Sequence, residues 1–225
     1  MTARKPITLV RIDASARSEG SFSRHLADAT EMAWQEAHPE GVVVHRDLAL
    51  EPIPHIHKLT IQGYYTPAAA MTPELRAATA LSDSLIAEIK GAHTILISSP
   101  IYNFSLPSSL KAWIDQIVRI GHTFAYEDGE FSGLVVGPRA VLALSYGADG
   151  YQGPLARMDH LRPYLSALLS FVGIVDVQVL SVEATTGDSA TAQAALDAAT
   201  AQARTLFNAA PTTHAAQIRI AGELA

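Results

Sequence analysis

Short apolar runs alternate along the chain with longer segments in which apolar residues recur every three or four positions, and this alternation predicts strands and helices in turn. The five predicted strands are brief and mostly apolar, as strands covered on both faces are, and comprise residues 7–12, 42–45, 94–97, 140–144 and 174–182. The five predicted helices comprise residues 22–33, 73–90, 107–121, 159–172 and 189–209. Residues 51–67, which contain several prolines and histidines, are predicted to form an irregular excursion.

Strands that alternate with helices favour an α/β fold with a parallel sheet and helices on both faces, because right-handed crossovers admit little else. Five strands fit the order 2-1-3-4-5. In such a sheet, ligands bind outside the carboxyl ends of the strands, where the strand order reverses between the first and third strands. The loops of residues 13–21, 98–107 and 145–153 are therefore the predicted binding loops.

A small hairpin is predicted between the fourth helix and the fourth strand. Phe124, Tyr126 and Phe131 flank Asp128-Gly129, a dipeptide that suits the positive φ angles of a tight hairpin turn. The chain is long enough for one large core, so residues 1–211 are predicted to form a single domain. Residues 212–225 are predicted to be a loosely held tail.

Composition removes several classes of function. The net charge is −6, from 16 basic and 22 acidic residues, and neither sign forms a long block, so we expect no nucleic-acid or membrane partner. The absence of cysteine excludes disulfides, thiolate catalysis and cysteine-ligated metals. The first apolar run is too short for a signal peptide and no stretch reaches the roughly 20 apolar residues of a membrane span, so a cytoplasmic location is expected.

The first loop is rich in hydroxyls and lies at a predicted helix start. The serines of the loop and of the first helical turn are Ser15, Ser18, Ser21 and Ser23. Free N–H groups and the partial positive charge of a helix N-terminus can bind a phosphate without a dedicated lysine. The alternative is that Ser21 only caps the helix, but the position of the loop in the sheet favours phosphate. The first strand is followed by neither a Walker loop nor a G-x-G-x-x-G motif, which disfavours ATP and a Rossmann-bound dinucleotide.

The second and third loops suit a planar heterocycle. The second offers backbone donors and aromatic surface at Pro100, Ile101, Tyr102, Asn103 and Phe104. Flavin chemistry requires backbone N–H groups near the ring and flat apolar surface on one face. The third begins with Ser145, Tyr146 and Gly147, where a small residue lets the backbone approach the other edge of a ring. The alternatives are that the aromatics belong to the core and that the glycine is an ordinary turn residue.

Other chemistry is less well supported by the sequence. The alternating spacing of His55 and His57 could bring two imidazoles together as metal ligands, but no nearby carboxylate pattern completes a metal site. Ser145 follows a strand without the G-x-S-x-G motif of a hydrolase nucleophile. We therefore expect no metal and no dedicated protein nucleophile.

Three stretches carry a resemblance to a known family. They are Ser21-Phe-Ser23 after Ser15, residues 100–115, and residues 121–126. On these motifs the chain resembles the FMN-dependent NADH-azoreductases and the related flavodoxin-like NAD(P)H quinone reductases, over about residues 7–182. The resemblance implies noncovalent FMN, NADH or NADPH as co-substrate, and two-electron reduction of quinones and azo compounds by a ping-pong cycle. It also implies a homodimer with FMN sites at the interface.

The resemblance assigns roles to the loop residues. Ser15, Ser21, Phe22 and Ser23 would hold the phosphate and ribityl end of FMN. The isoalloxazine would be lined by Pro100, Ile101, Tyr102, Asn103 and Phe104, and bordered at its pyrimidine edge by Ser145, Tyr146 and Gly147. The acceptor pocket would include Tyr126 and Leu168.

Three departures from the family pattern concern the acceptor. Tyr146 stands where arginine is common, Gly147-Ala148 replaces a glycine pair, and Leu168 replaces an expected aromatic. The natural acceptor and the choice between NADH and NADPH therefore stay open. The alternatives are a flavodoxin-like electron carrier or flavin-binding module, and a reductase of nitroaromatics or chromate.

Overall fold

The computed structural model describes residues 6–207 and 219–221. The helices in this part of the chain are α1 (Phe22–Ala37), α2 (Lys58–Tyr64), α3 (Pro73–Gly91), α4 (Ser108–Ile117), α5 (Arg162–Val172) and α6 (Ser189–Thr205). The strands are β1 (Thr8–Asp13), β2 (Val42–Asp47), β3 (Thr94–Pro100), β4 (Phe124–Glu127), β5 (Glu130–Gly133), β6 (Arg139–Ser145), β7 (Val177–Val182) and β8 (Arg219–Ala221). None of the described helices is both long and apolar enough to cross a membrane.

The main sheet has five parallel strands in the order β2-β1-β3-β6-β7. Counted within this sheet, the order is 2-1-3-4-5, so the predicted topology is confirmed. Asp13 of β1 is in register with Ser98 of β3, and Pro100 of β3 is in register with Ser145 of β6. The carboxyl ends of these three strands therefore lie side by side, and the three predicted binding loops begin there.

Helices cover both faces of the sheet because successive side chains of a strand point to opposite sides. Val10 faces a core cluster that includes Trp113 of α4, whereas Leu9 faces a second cluster with Leu26 of α1 and Leu196 of α6. The central strands β3 and β6 are buried along almost their whole length. This explains the apolar runs of residues 95–97 and 140–144 within them.

A helix forms inside the segment that was predicted to be irregular. In α2 the buried residues are Thr60 and Gly63, whereas Leu59 and Ile61 are each 41% exposed. A Cβ on Gly63 would lie 2.5 Å from Cγ2 of Thr79, so α2 packs on α3 through a position without a side chain. The prediction of an irregular excursion is wrong for these residues, because small residues rather than apolar ones face the protein.

The predicted hairpin is confirmed and is part of a small second sheet. Asp128 and Gly129 join β4 to β5 with φ values of 55° and 82°, as a primed two-residue turn requires. The side chain of Phe171 on α5 packs against the hairpin, with ring centroids 4.9 Å from Phe124 and 5.6 Å from Phe131. Strand β8 pairs with β5, so part of the predicted tail is a strand; residues 212–218 and 222–225 of that tail lie outside the described residues.

Candidate functional site

The three binding loops are tied to one another at the carboxyl end of the sheet. The N–H of Ala14 donates to the carbonyl of Ser98 at 2.9 Å, which joins the first loop to the end of β3. The N–H of Ile101 donates to the carbonyl of Ser145 at 2.8 Å, which joins the second loop to the third. These bonds continue the pairing of the strands, so the sheet itself sets the spacing of the loops.

The first loop and the start of α1 present several unused donors. The hydroxyl of Ser21 bonds to no helix N–H and lies 3.3 Å from that of Ser23. Within the described chain the N–H groups of Phe22, Ser23 and Arg24 donate to no acceptor, as the first turn of a helix leads one to expect. The hydroxyl of Ser15 accepts from the N–H of Arg17 at 3.2 Å, so its own proton is available. Ser21 is therefore not a side-chain cap, and this helix start fits an anion.

A network of buried charges lies next to this loop. The carboxylate of Asp13, at the end of β1, accepts from Nε of Arg11 at 3.0 Å. Arg24 on α1 binds Asp47 through two bonds, of 2.6 and 2.9 Å, and donates to the carbonyl of Ser15 at 2.8 Å. The hydrogen bond from Arg24 is the main reason why the pKa of Asp47 is lowered from its ordinary value. The only signal of this network in the sequence is the alternation of Arg11 and Asp13 within an apolar strand, and the network was not predicted.

The second loop ends in a tight turn with exposed aromatic side chains. Tyr102 and Ser105 exchange backbone hydrogen bonds of 2.8 and 3.0 Å, and the two residues between them have left-handed φ values, 48° at Asn103 and 67° at Phe104. Tyr102 is 36% exposed and Phe104 is 46% exposed, so neither is a core aromatic. In the part of the chain that the structure describes, the N–H groups of Asn103 and Phe104 bond to nothing. The turn thus combines flat apolar surface with free backbone donors, as a flavin ring requires.

In the third loop the side chain of Tyr146 is buried, whereas, within the described chain, the backbone N–H of Gly147 is free to bind a ligand. The Tyr146 ring is buried against Tyr151, with centroids 4.7 Å apart, and its hydroxyl donates to Oδ2 of Asp159 at 3.1 Å. Burial is the main cause that raises the pKa of Tyr146. The N–H of Tyr146 donates to Val182, whereas the N–H of Gly147 has no acceptor among residues 6–207 and 219–221. Gly147 consequently offers a free backbone donor in this loop.

A cleft of about 860 Å³ borders the second loop and extends between α4 and α5. Its lining includes Tyr102, Asn103, Lys111, His160 and Tyr164. The last three were not singled out by sequence reasoning, because nothing in their spacing marks them. This cleft gives a ligand held at the second loop an open side next to charged and aromatic groups.

The two residues predicted for the acceptor pocket do not line this cleft. Tyr126 packs its ring against Phe131 of the hairpin, with centroids 4.6 Å apart. Leu168 lies on α5, half-buried against the larger core cluster. The structure therefore places both in the region where the hairpin meets α5, and their contact with an acceptor stays a prediction.

The chain is similar in sequence to a family of known fold and to enzymes of known name. A family model described as flavodoxin-like fold matches residues 8–207. The chain is 54% identical over 174 residues, 76% of its length and 84% of the relative's, to an FMN-dependent NADH:quinone oxidoreductase of Xanthobacter autotrophicus. An enzyme with the same name from Hydrogenovibrio crunogenus is 41% identical over 183 residues, which are 81% of this chain and 91% of that one.

The fold also matches a solved structure. An FMN-dependent NADH-azoreductase from Bacillus anthracis, crystallised in complex with FMN, superimposes with a TM-score of 0.79. The match covers 89% of this chain and 98% of that chain, at 22% sequence identity. At this identity the likeness is one of fold.

Proposed function

The chain belongs to the flavodoxin-like fold family, and on that basis we propose that it is an FMN-dependent NADH:quinone oxidoreductase that also reduces azo compounds. One observation carries the proposal. A helix start with unused N–H and hydroxyl donors and a turn with exposed aromatics and free N–H groups begin at adjacent strand ends of one sheet. A phosphate and a flat ring joined by a short chain match these two features together.

The first loop would hold the phosphate of FMN. The N–H groups of Phe22 and Ser23 and the hydroxyls of Ser15 and Ser21 are the donors, and hydrogen bonds to an ionised acceptor are about twice as strong as those between neutral groups. We propose that FMN binds noncovalently, as the resemblance implies.

The second and third loops would hold the ring. The N–H groups of Asn103, Phe104 and Gly147 would bind polar atoms at its edge, and Tyr102 and Phe104 would cover apolar surface. When bound, FMN supplies the hydride chemistry, so the protein needs no nucleophile of its own. The protein's part is to orient the ring and to leave one side of it open to the cleft beside Tyr102.

Purified protein loaded with FMN should oxidise NADH in the presence of a quinone and, separately, an azo dye. The same panel should include NADPH as donor and a nitroaromatic and chromate as acceptors, which would define the specificity. The cofactor-free protein is the control. Protein that fails to bind added FMN, or that binds FMN but transfers electrons to none of the acceptors, would overturn the proposal.

The kinetic order we propose is ping-pong. NADH and the acceptor both have to approach the one open side of the ring, so they bind in turn. Double-reciprocal plots at several acceptor concentrations should be parallel. Intersecting lines would mean that the two substrates bind at separate places.

We also propose a homodimer with an FMN site at the interface, in the cytoplasm. Phe124 and Phe131 are covered in part by Phe171 within the chain, so these hairpin side chains leave little apolar surface for a partner. Exposed apolar side chains remain at Leu134 and Val136, directly after β5. Sedimentation that shows monomer only at micromolar concentration would contradict the dimer, and cell fractionation tests the location.

A further inference from the structure

Arg24 connects α1 to the ends of β1 and β2 and to the first loop. It lies in the first turn of α1, only 11% of its side chain is exposed, and its guanidinium binds both oxygens of Asp47 at the end of β2. Nη1 is also 3.7 Å from Oδ2 of Asp13 at the end of β1. A planar guanidinium can satisfy several acceptors in fixed directions at once, which an ammonium group cannot do.

The remaining contact of Arg24 fixes a peptide of the first loop. Nη2 donates to the carbonyl of Ser15 at 2.8 Å. In a planar trans peptide, the carbonyl and the next N–H point in opposite directions. Arg24 therefore turns the N–H of Ala16 away from the charged network, and this N–H bonds to no acceptor in the described part of the chain.

The charges around Arg24 matter for an anion at this loop. Asp13 is buried and lies two positions before Ser15, and its Oδ1 has no hydrogen-bond partner among the described residues. An uncompensated carboxylate here would repel a phosphate, and such repulsion is weakly screened in a buried site. Arg11, which also pairs with Asp28 and Glu31, and Arg24, which also pairs with Asp47, are the two cations beside Asp13 and offset part of its charge.

We propose that Arg24 is a positioning residue for the FMN phosphate, which acts through the Ser15–Ala16 peptide and by offsetting the charge of Asp13. It touches the loop rather than the reacting part of the cofactor. The inference rests on the proposed function, because it requires that FMN binds at the start of α1. It predicts that Arg24 matters for a flavin with a phosphate and not for one without.

The test compares FMN with riboflavin, which has the same ring and no phosphate. Cofactor-free wild type and Arg24→Gln are titrated with each flavin, and binding is followed by the quenching of flavin fluorescence. Arg24→Gln should weaken FMN binding by roughly tenfold, the size of one hydrogen bond to a charged group, and leave riboflavin binding within about twofold of wild type. Arg24→Lys, which keeps the charge but not the fork, should fall between the two.

Arg46→Gln is the matched control. Arg46 lies next to Asp47 on β2 and pairs with Glu88 on α3, with Nε 3.1 Å from Oε2, and its side chain is similarly buried at 17% exposed. This variant loses the same charge and a comparable ion pair without contact to the first loop. It should leave the ratio of FMN to riboflavin affinity unchanged.

The outcomes separate this proposal from the proposed function. If the wild type binds neither flavin, the proposed function is refuted. If the wild type binds FMN but Arg24→Gln has the same ratio of FMN to riboflavin affinity, only the role of Arg24 is refuted. Equal losses for both flavins would likewise refute it. If Arg24→Gln does not fold, Arg24→Lys carries the test by itself, and a wild-type ratio of FMN to riboflavin affinity in that variant would refute the role of the guanidinium fork.

Discussion

Replacing Ser21 and Ser23 together with alanine should separate the binding of FMN from the stability of the fold. Both serines are buried, and the hydroxyl of Ser21 bonds to the hydroxyl of Ser23 rather than to a helix N–H. The double change removes both partners of this bond, so it leaves no buried hydroxyl unsatisfied. We expect the free energy of unfolding of the cofactor-free protein to change by less than about 1 kcal/mol.

The effect on FMN should be much larger. A hydrogen bond to a charged group contributes roughly 1.5–3 kcal/mol. The loss of even one such bond raises the dissociation constant at least about tenfold, since about 1.4 kcal/mol corresponds to a factor of ten. Riboflavin, without a phosphate, should bind the variant as it binds the wild type.

Thr72→Ala is a suitable control for this experiment. The hydroxyl of Thr72 caps α3 by accepting from the N–H of Leu75 at 3.3 Å, so its loss should destabilise the protein by about 1 kcal/mol and leave FMN binding unchanged. Fluorescence titration and urea unfolding measure the two quantities. A double variant of Ser21 and Ser23 that binds FMN as the wild type does, or that loses as much stability as Thr72→Ala, would refute the reasoning.

Three further changes test other parts of the structure. Gly133→Ala would drive a Cβ into the backbone nitrogen of Gly173, and overpacking of roughly 1–3 kcal/mol should lower the calorimetric unfolding midpoint by about 2–12 °C; an unchanged midpoint would contradict this close approach. Tyr146→Phe removes the donor to Asp159 and should lower the free energy of unfolding, measured with urea, by about 1–3 kcal/mol. An unchanged free energy of unfolding would contradict this hydrogen bond. Leu168→Phe should improve the apparent affinity for flat aromatic acceptors a few-fold, because an aromatic pair contributes about 0.5–1.5 kcal/mol. Stopped flow follows the two half-reactions separately. If only FMN reduction by NADH changes, or if neither half-reaction changes, Leu168 does not border the acceptor.

The parts of the fold that the sequence predicts well are those in which a local pattern has one structural solution. The apolar runs that became β3 and β6 suit only a strand covered on both faces, and Asp128-Gly129 suits a primed turn. The strand order followed from these elements and from the handedness of their connections. The three candidate binding loops were then located from topology before any side chain was considered.

The parts that were missed depend on partners distant in sequence. Helix α2 has no apolar periodicity on its buried side, because Thr60 and Gly63 are buried there and only the position of α3 makes that favourable. Arg24 pairs with Asp47, which lies 23 positions later in the chain. Its charged side chain is therefore buried, although a charged residue on a helix usually faces solvent. Likewise, the burial of the Tyr146 side chain depends on Asp159, which lies beyond the loop; the contact of Tyr146 with FMN stays a prediction.

The turn at Asn103 and Phe104 has a consequence for attempts to make the protein more heat resistant. A left-handed backbone costs an ordinary L-residue roughly 1–2 kcal/mol, and glycine avoids that penalty. Directed evolution that selects only for survival of heating should therefore favour glycine at Phe104, whose φ is 67°. The same exchange would remove an exposed ring and loosen the two N–H groups that are proposed to bind the cofactor, so thermostability and turnover are expected to trade off at this position.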